Sequence, residues 1–241
     1  MGKDKLFAKK KPSVNDFDFG KQTAAVFDDM LLRSVPFYVE IQRMTAEFSA
    51  DFAKEGSSLY DLGCSTCTTF LMLDPFVHPT VRFIGVDASP DMLEKAREKL
   101  EGYSLRHTYE LLSADLNQGI ALTNASVVIM TLTLQFIRPL QRAQLMRDIV
   151  SGMNKGGCLI LVEKAVSKDS TLNRQFIKYY HAFKERQGYS KLEISQKREA
   201  LENVLIPYRV EENIELLLES GFSWCELFFK WYNFCGFIAV K

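Results

Sequence analysis

The sequence predicts an α/β fold, a mostly parallel sheet with helices on both faces. Three observations predict it. From Ser58 onward, short apolar runs alternate with amphipathic ones, which is the pattern of strands joined by helices. The runs FIGVD (83–87), VVIMTL (127–132) and CLILVE (158–163) are almost continuously apolar, as strands are when both sheet faces are covered. Two further strand-like runs, 222–231 and 233–240, close the chain. The link between them is too short for a parallel crossover, so they pair antiparallel or flank another strand.

Each element has its own signal. Residues 1–20 read as a flexible tail, with Lys9, Lys10 and Lys11 as a solvated arm. Apolar residues at three- and four-residue spacing predict a helix over 22–35. Pro36 ends it and suits the first turn of a second helix over 37–53. Both precede the first strand and are expected to cover a ligand cleft at the strand C-termini. Strands follow at 58–62, 82–87, 108–113, 126–132 and 157–163, with helices at 67–74, 90–101 and 138–152. Ser89 is a helix cap followed by Pro90 at the first helical position. Gly156 and Gly157 fall where a left-handed helix cap is expected. Residues 168–205 read as an inserted helical cap, with Tyr179, Tyr180 and Phe183 packing it. A last helix, 210–220, stops at Gly221. No linker or repeat divides the chain, so 1–241 reads as one domain.

Composition excludes several classes. The chain is 47% hydrophobic and 25% charged with zero net charge, so no global basic field gathers nucleic acid. No apolar run has signal-peptide or membrane-spanning character, and a cytoplasmic protein is expected. Five cysteines in that setting are expected to be reduced. Cys158, Cys225 and Cys235 lie in apolar runs and read as small core residues. Cys64 and Cys67 form a C-x-x-C with no second pair, and His78, His107 and His181 match no metal spacing, so no metal is expected.

The chemistry lies at strand ends. The run Leu59-Tyr60-Asp61-Leu62-Gly63-Cys64-Ser65 is a strand, an acid and a glycine turn ahead of a helix, a cradle for a nucleoside-type cofactor. A dinucleotide fingerprint needs more glycines than Gly63 alone. Asp87 ends the next strand, where a carboxylate accepts both ribose hydroxyls. Asp115 ends the third strand, where an acid and a backbone amide read an adenine edge. Three strand-end acids without a pyrophosphate site point to S-adenosylmethionine (SAM) rather than NAD. In the helical stretch 192–204, Arg198 is either part of a solvated face with Lys197, Glu199 and Glu202, or a group aimed at the cleft. Beside a sulfonium, an arginine makes sense where an anion must also be held.

A family resemblance joins these features. The segments Arg33-Ser34-Val35-Pro36, Asp61-Leu62-Gly63-Cys64-Ser65, Thr133-Leu134-Gln135-Phe136, Gly188-Tyr189-Ser190 with 192–204, and Asn233-Phe234 resemble the carboxy-S-adenosyl-L-methionine synthase family, from about residue 16 to the end. The resemblance implies a Rossmann-like SAM-dependent methyltransferase fold: a seven-stranded, mostly parallel sheet, two N-terminal helices and a helical cap. It also implies a homodimeric enzyme that converts SAM and prephenate to carboxy-SAM and phenylpyruvate. A partner enzyme then passes the carboxymethyl group to the wobble uridine of tRNA, so no direct nucleic-acid contact and no membrane are expected. By position, the resemblance gives cofactor-binding roles to Tyr38, Gly63, Cys64, Ser65, Asp87, Ala88, Asp115, Leu116, Thr131 and Arg198. Arg198 is also the expected catalytic residue, binding the new carboxylate. Three positions depart from the family pattern: Cys67 and Phe37 stand where glycines are usual, and Thr131 where asparagine is usual. An ordinary SAM methyltransferase and a non-catalytic SAM-binding protein remain the alternatives.

Overall fold

The computed structural model describes residues 2–241. Its sheet has the spatial order β3-β2-β1-β4-β5-β8-β7. Five strands, β1 (Ser58–Leu62), β2 (Arg82–Asp87), β3 (Tyr109–Ser113), β4 (Ala125–Thr131) and β5 (Met153–Val166), run parallel. The closing pair, β7 (Trp224–Trp231) and β8 (Phe234–Val240), is antiparallel, and β8 lies antiparallel against β5. Both readings of the last two runs therefore hold at once. An eighth strand of two residues, β6 (Tyr208–Arg209), pairs with the far end of β5 and had no signal in the sequence.

Alternation along the strands sorts the core into two layers. Tyr60, Leu62, Val128, Met130, Leu159 and Leu161 share a cluster with Leu145, Met146 and Ile149 of α6 (Pro139–Gly152) and Leu217 of α9 (Val210–Glu219). Leu59, Phe83, Val127, Ile129 and Ile160 pack instead with α3 (Tyr38–Phe52), α4 (Thr68–Leu73) and α5 (Pro90–Glu101). Ser89 caps α5 by accepting the Met92 amide at 3.2 Å, with Pro90 at the first helical position. The cap consists of α7 (Ser170–Arg186) and α8 (Lys191–Leu201), the latter opened by a reciprocal Ser190–Glu193 capping box. Tyr180 is buried against Trp231 and Phe234, the packing role its spacing implied.

Four local expectations are corrected. The helix over 22–35 is split into α1 (Lys21–Ala24) and α2 (Phe27–Ser34), because Val26 leaves helical geometry at φ −125°. Pro36 sits in the turn ahead of α3, which Phe37 caps in a left-handed conformation. Gly156, at φ +73°, lies within β5 where the register against β4 shifts, so it makes a bulge and not a helix cap. The N-terminal arm is packed rather than flexible. The Phe17 amide donates to the Ala200 carbonyl at 2.8 Å, and Gln196 Nε2 donates to the Phe7 and Lys9 carbonyls. Between and after the lysines lie Phe7, Phe17 and Phe19, whose rings meet in series, one stacked pair and then edge-to-face contacts, and end on Phe136 and Phe27. That apolar surface is what anchors the arm.

Candidate functional site

The C-terminal ends of the parallel strands open into a cavity of about 1140 Å³. It is roofed by the N-terminal arm, by α2 and α3, and by the two cap helices. All ten residues singled out in the sequence line it: Tyr38, Gly63, Cys64, Ser65, Asp87, Ala88, Asp115, Leu116, Thr131 and Arg198.

The turn after β1 is tight for a definite reason. Gly63 has φ +82°, and a Cβ there would run into the Thr133 side chain. Gly63 and Cys64 both donate to the Val86 carbonyl, at 2.7 and 3.0 Å. Cys67 also sits left-handed, at φ 55°. Its thiol is fully buried in the layer behind the sheet, with Phe70 and Leu73, and does not reach the cavity. The departure at this position therefore costs backbone strain and does not crowd a ligand. Phe37, also at φ 55°, points outward against Phe229.

The acids differ in state. Asp87 accepts the Ser65 amide on one oxygen at 2.9 Å and the Ser89 amide on the other at 2.8 Å, and burial raises its pKa. Each oxygen keeps a lone pair free. Asp115 accepts from Asn117 backbone and side chain, which lowers its pKa. Asp61 is nearly fully buried, its Oδ2 has no hydrogen-bond partner, and burial reinforced by Asp87 lifts it to about 7. The Oγ1 of Thr131 is likewise buried and unpartnered. Buried polar atoms without partners cost free energy unless a ligand satisfies them. SAM, which carries an ammonium, a sulfonium and ribose hydroxyls, has the groups that a buried carboxylate and an acceptor-rich rim satisfy.

The far wall is cationic. Lys164 follows Glu163 in β5, Lys184 lies in α7, and Lys197 and Arg198 lie side by side in α8. Burial brings Lys164 down to about 8. Burial, then Lys164, Lys197 and Arg198, bring Lys184 down to about 6. Burial brings Lys197 to about 8, against the pull of Asp4. Sequence reasoning missed Lys164 and Lys184, and considered Lys197 only as part of a solvated helix face. The available signal was the place of Lys164 near the C-terminal end of β5, one residue beyond the run CLILVE.

Two buried groups hold the loop below the site. Glu163, raised to about 8 by burial, accepts the Leu134 and Gln135 amides at 2.9 Å each. Arg142 donates to the Ile137, Gln135 and Ile206 carbonyls.

Comparison with known proteins adds to this geometry. A family model described as a methyltransferase domain matches residues 59–157. The carboxy-S-adenosyl-L-methionine synthase of Methylococcus capsulatus is 52% identical over 242 residues, covering all of both chains. That of Desulfotalea psychrophila is 48% identical, covering 99% of this chain and 97% of the relative. Among solved structures, a SAM-dependent methyltransferase from Aquifex aeolicus superposes with a TM-score of 0.62 at 16% identity, covering 93% of this chain and 99% of that one. Human N-acetylserotonin methyltransferase in complex with SAM gives 0.59 at 14% identity, covering 91% and 55%. These two likenesses establish the Rossmann-like methyltransferase fold.

Proposed function

The chain belongs to the carboxy-S-adenosyl-L-methionine synthase family, and we propose that it converts SAM and prephenate to carboxy-SAM, phenylpyruvate and water. It is a methyltransferase-like transferase with SAM as its cofactor. The observation that carries the proposal is the presence of Arg198 in the same cavity as the three strand-end acids. One group there suits a nucleoside cation and the other a carboxylate.

In this reading Asp87 accepts the ribose hydroxyls, and Asp115 with the Leu116 backbone reads the adenine edge. Gly63, Cys64 and Ser65 leave room for the methionine end, and Asp61 faces its positive charge. Tyr38, Ala88 and Thr131 complete the enclosure. SAM supplies the methyl carbon that receives the carboxyl group. Arg198 positions that carboxyl and stabilises its charge, so the protein acts through orientation and electrostatics. The ring of prephenate loses its carboxyl and hydroxyl as it becomes aromatic. The hydroxide and the proton lost from the methyl carbon account for the water.

The proposal extends to the surroundings: a homodimer in the cytoplasm, without direct nucleic-acid contact, feeding an enzyme that modifies the tRNA wobble uridine. No helix among the described residues is long and apolar enough to cross a membrane. The test is incubation of the purified protein with SAM and prephenate, followed by mass spectrometry of the nucleoside. A SAM derivative heavier by one carboxyl is expected. Folded, SAM-binding protein that yields none overturns the proposal.

A further inference from the structure

The cationic wall has more charge than Arg198 alone requires. Lys164 and Lys184 both point over the ring of Tyr180, with Nζ 4.9 and 4.6 Å from its centroid. Lys164 also lies 5.6 Å from the centroid of Phe234. Lys184 is only 6% exposed. Neither ammonium has an ion-pair partner or a hydrogen-bond acceptor among the described residues. Lys197 differs, since it lies 4.0 Å from Asp4 and 3.4 Å from Ser34 Oγ. The cavity thus holds two lysine amines over one aromatic ring, with no acid among the described residues to pair them. A buried amine without a counter-ion gives up its proton, and an anionic ligand restores the charge and pairs it.

Prephenate carries two carboxylates. One is transferred, and the other stays on the keto-acid side chain of phenylpyruvate. A single Arg198 holds one of them. We propose that Lys164 and Lys184, both set over Tyr180, form a second carboxylate subsite that binds the keto-acid end of the co-substrate. This deepens the proposed reaction and rests on it. The aromatic floor suits the adjoining ring carbons, and the separation of the two anion sites sets which carboxyl faces the methyl carbon.

The subsite has a proton signature. Lys184 is faced by Lys164 from β5, by His181 and Tyr180 from α7, and by Lys197 and Arg198 from α8, with Asp4 beyond Lys197. In that company it is largely neutral near pH 7.5. An arriving carboxylate favours the charged form, so binding takes up a proton.

Two measurements test the assignment. Calorimetry of prephenate binding to protein loaded with S-adenosylhomocysteine, which has no methyl to react, is run at pH 7.5 in two buffers of different ionisation heat. The native protein is expected to take up close to one proton. In steady-state assays Lys164→Met and Lys184→Met are each expected to raise KM for prephenate about tenfold or more, the size of a lost charge-assisted hydrogen bond. SAM affinity is expected to stay within about twofold. Lys184→Arg is expected to recover most of the KM and to lose most of the proton uptake, because arginine is already charged and only the fraction owed to Lys164 and Lys197 remains. Binding without proton uptake by the native protein overturns the assignment even if the variants do not fold. An unmoved KM in folded variants that still make carboxy-SAM overturns it as well. Native protein that makes no carboxy-SAM from prephenate instead overturns the reading of the reaction on which it rests.

Discussion

Replacing Asp61 by Asn is expected to stabilise the ligand-free protein while weakening its hold on SAM. Asp61 is buried, its Oδ2 has no partner, and its pKa stands near 7 against 3.8 for an ordinary aspartate. An acid whose pKa is raised by folding binds its proton more tightly in the native state. Its cost is absent below about pH 4, grows through the interval, and is complete above about pH 7. Each unit is about 1.4 kcal/mol, so the full cost is about 4 kcal/mol. Glu163 and Lys184 also titrate in the folded protein, near 8 and near 6, so the native curve is a composite. Subtracting it from the Asp61→Asn curve isolates Asp61 together with its coupling to Asp87. Urea denaturation of both proteins between pH 5 and 9, without ligand, is the assay. The stability difference is expected to rise by about 1.4 kcal/mol per pH unit from 5 to 7 and to flatten above 8. SAM is expected to bind the variant at least tenfold more weakly, since a buried carboxylate facing a cation is lost. A difference that does not change with pH would refute the placement of an ionisable, unpartnered carboxylate here.

The other predictions follow from strain, sterics and buried hydrogen bonds. Because Cys67 is left-handed, Cys67→Gly is expected to be more stable than Cys67→Ala by about 1 kcal/mol in equilibrium unfolding, the reverse of the order inside a helix. Gly63→Ala forces a Cβ into Thr133 at φ +82° and is expected to cost about 2 kcal/mol or more and to lower SAM affinity by calorimetry. Arg142→Leu leaves the Ile137 and Ile206 carbonyls without their donor, while Gln135 keeps the Ile206 amide, and is expected to cost about 3 kcal/mol, seen as a fall in Tm of roughly 10 °C. Arg198→Ala is expected to abolish carboxy-SAM formation with SAM affinity reduced about tenfold or less; retention of the carboxylated product would remove Arg198 from its role.

The sheet was legible because strand identity is written in consecutive apolar residues, and burial on both faces enforces that pattern. CLILVE and VVIMTL needed no tertiary knowledge. The strand-end acids were legible for the same reason, since a strand fixes where its next residue points. What failed depended on contacts distant in sequence. The arm over 2–20 is pinned by Gln196 and Ala200, far along the chain, and its lysines masked the aromatic anchors around them. Lys184 in a tyrosine-rich helix and Lys197 beside Arg198 carry no local mark of burial. A lysine is pushed into a cavity by the packing around it, and the sequence records only that it is a lysine. Cys67 showed the opposite limit. The missing glycine was visible, but whether its side chain faced the ligand or the core depended on which way the turn rolled.

That turn belongs to a wider pattern that bears on how the site works. Among the described residues, six other than glycine have positive φ, namely Phe37, Ser65, Cys67, Asn124, Leu132 and Tyr232. Ser65 and Leu132 line the cavity, Phe37 immediately precedes Tyr38, and Cys67 follows Thr66, so two of the six line the site and two more adjoin residues that do. Leucine and phenylalanine gain nothing locally from such a conformation, which costs of order 1 kcal/mol each. Long-range hydrogen bonds sustain it: the Leu132 amide donates to the Val162 carbonyl at 2.6 Å, and Ser65 donates to Asp87 at 2.9 Å. The free energy spent on those turns fixes Tyr38, Ser65, Thr131 and the Thr133 wall before any ligand arrives. A reaction that relies on placing a carboxyl group against one methyl carbon, with no covalent help from the protein, requires that kind of rigidity.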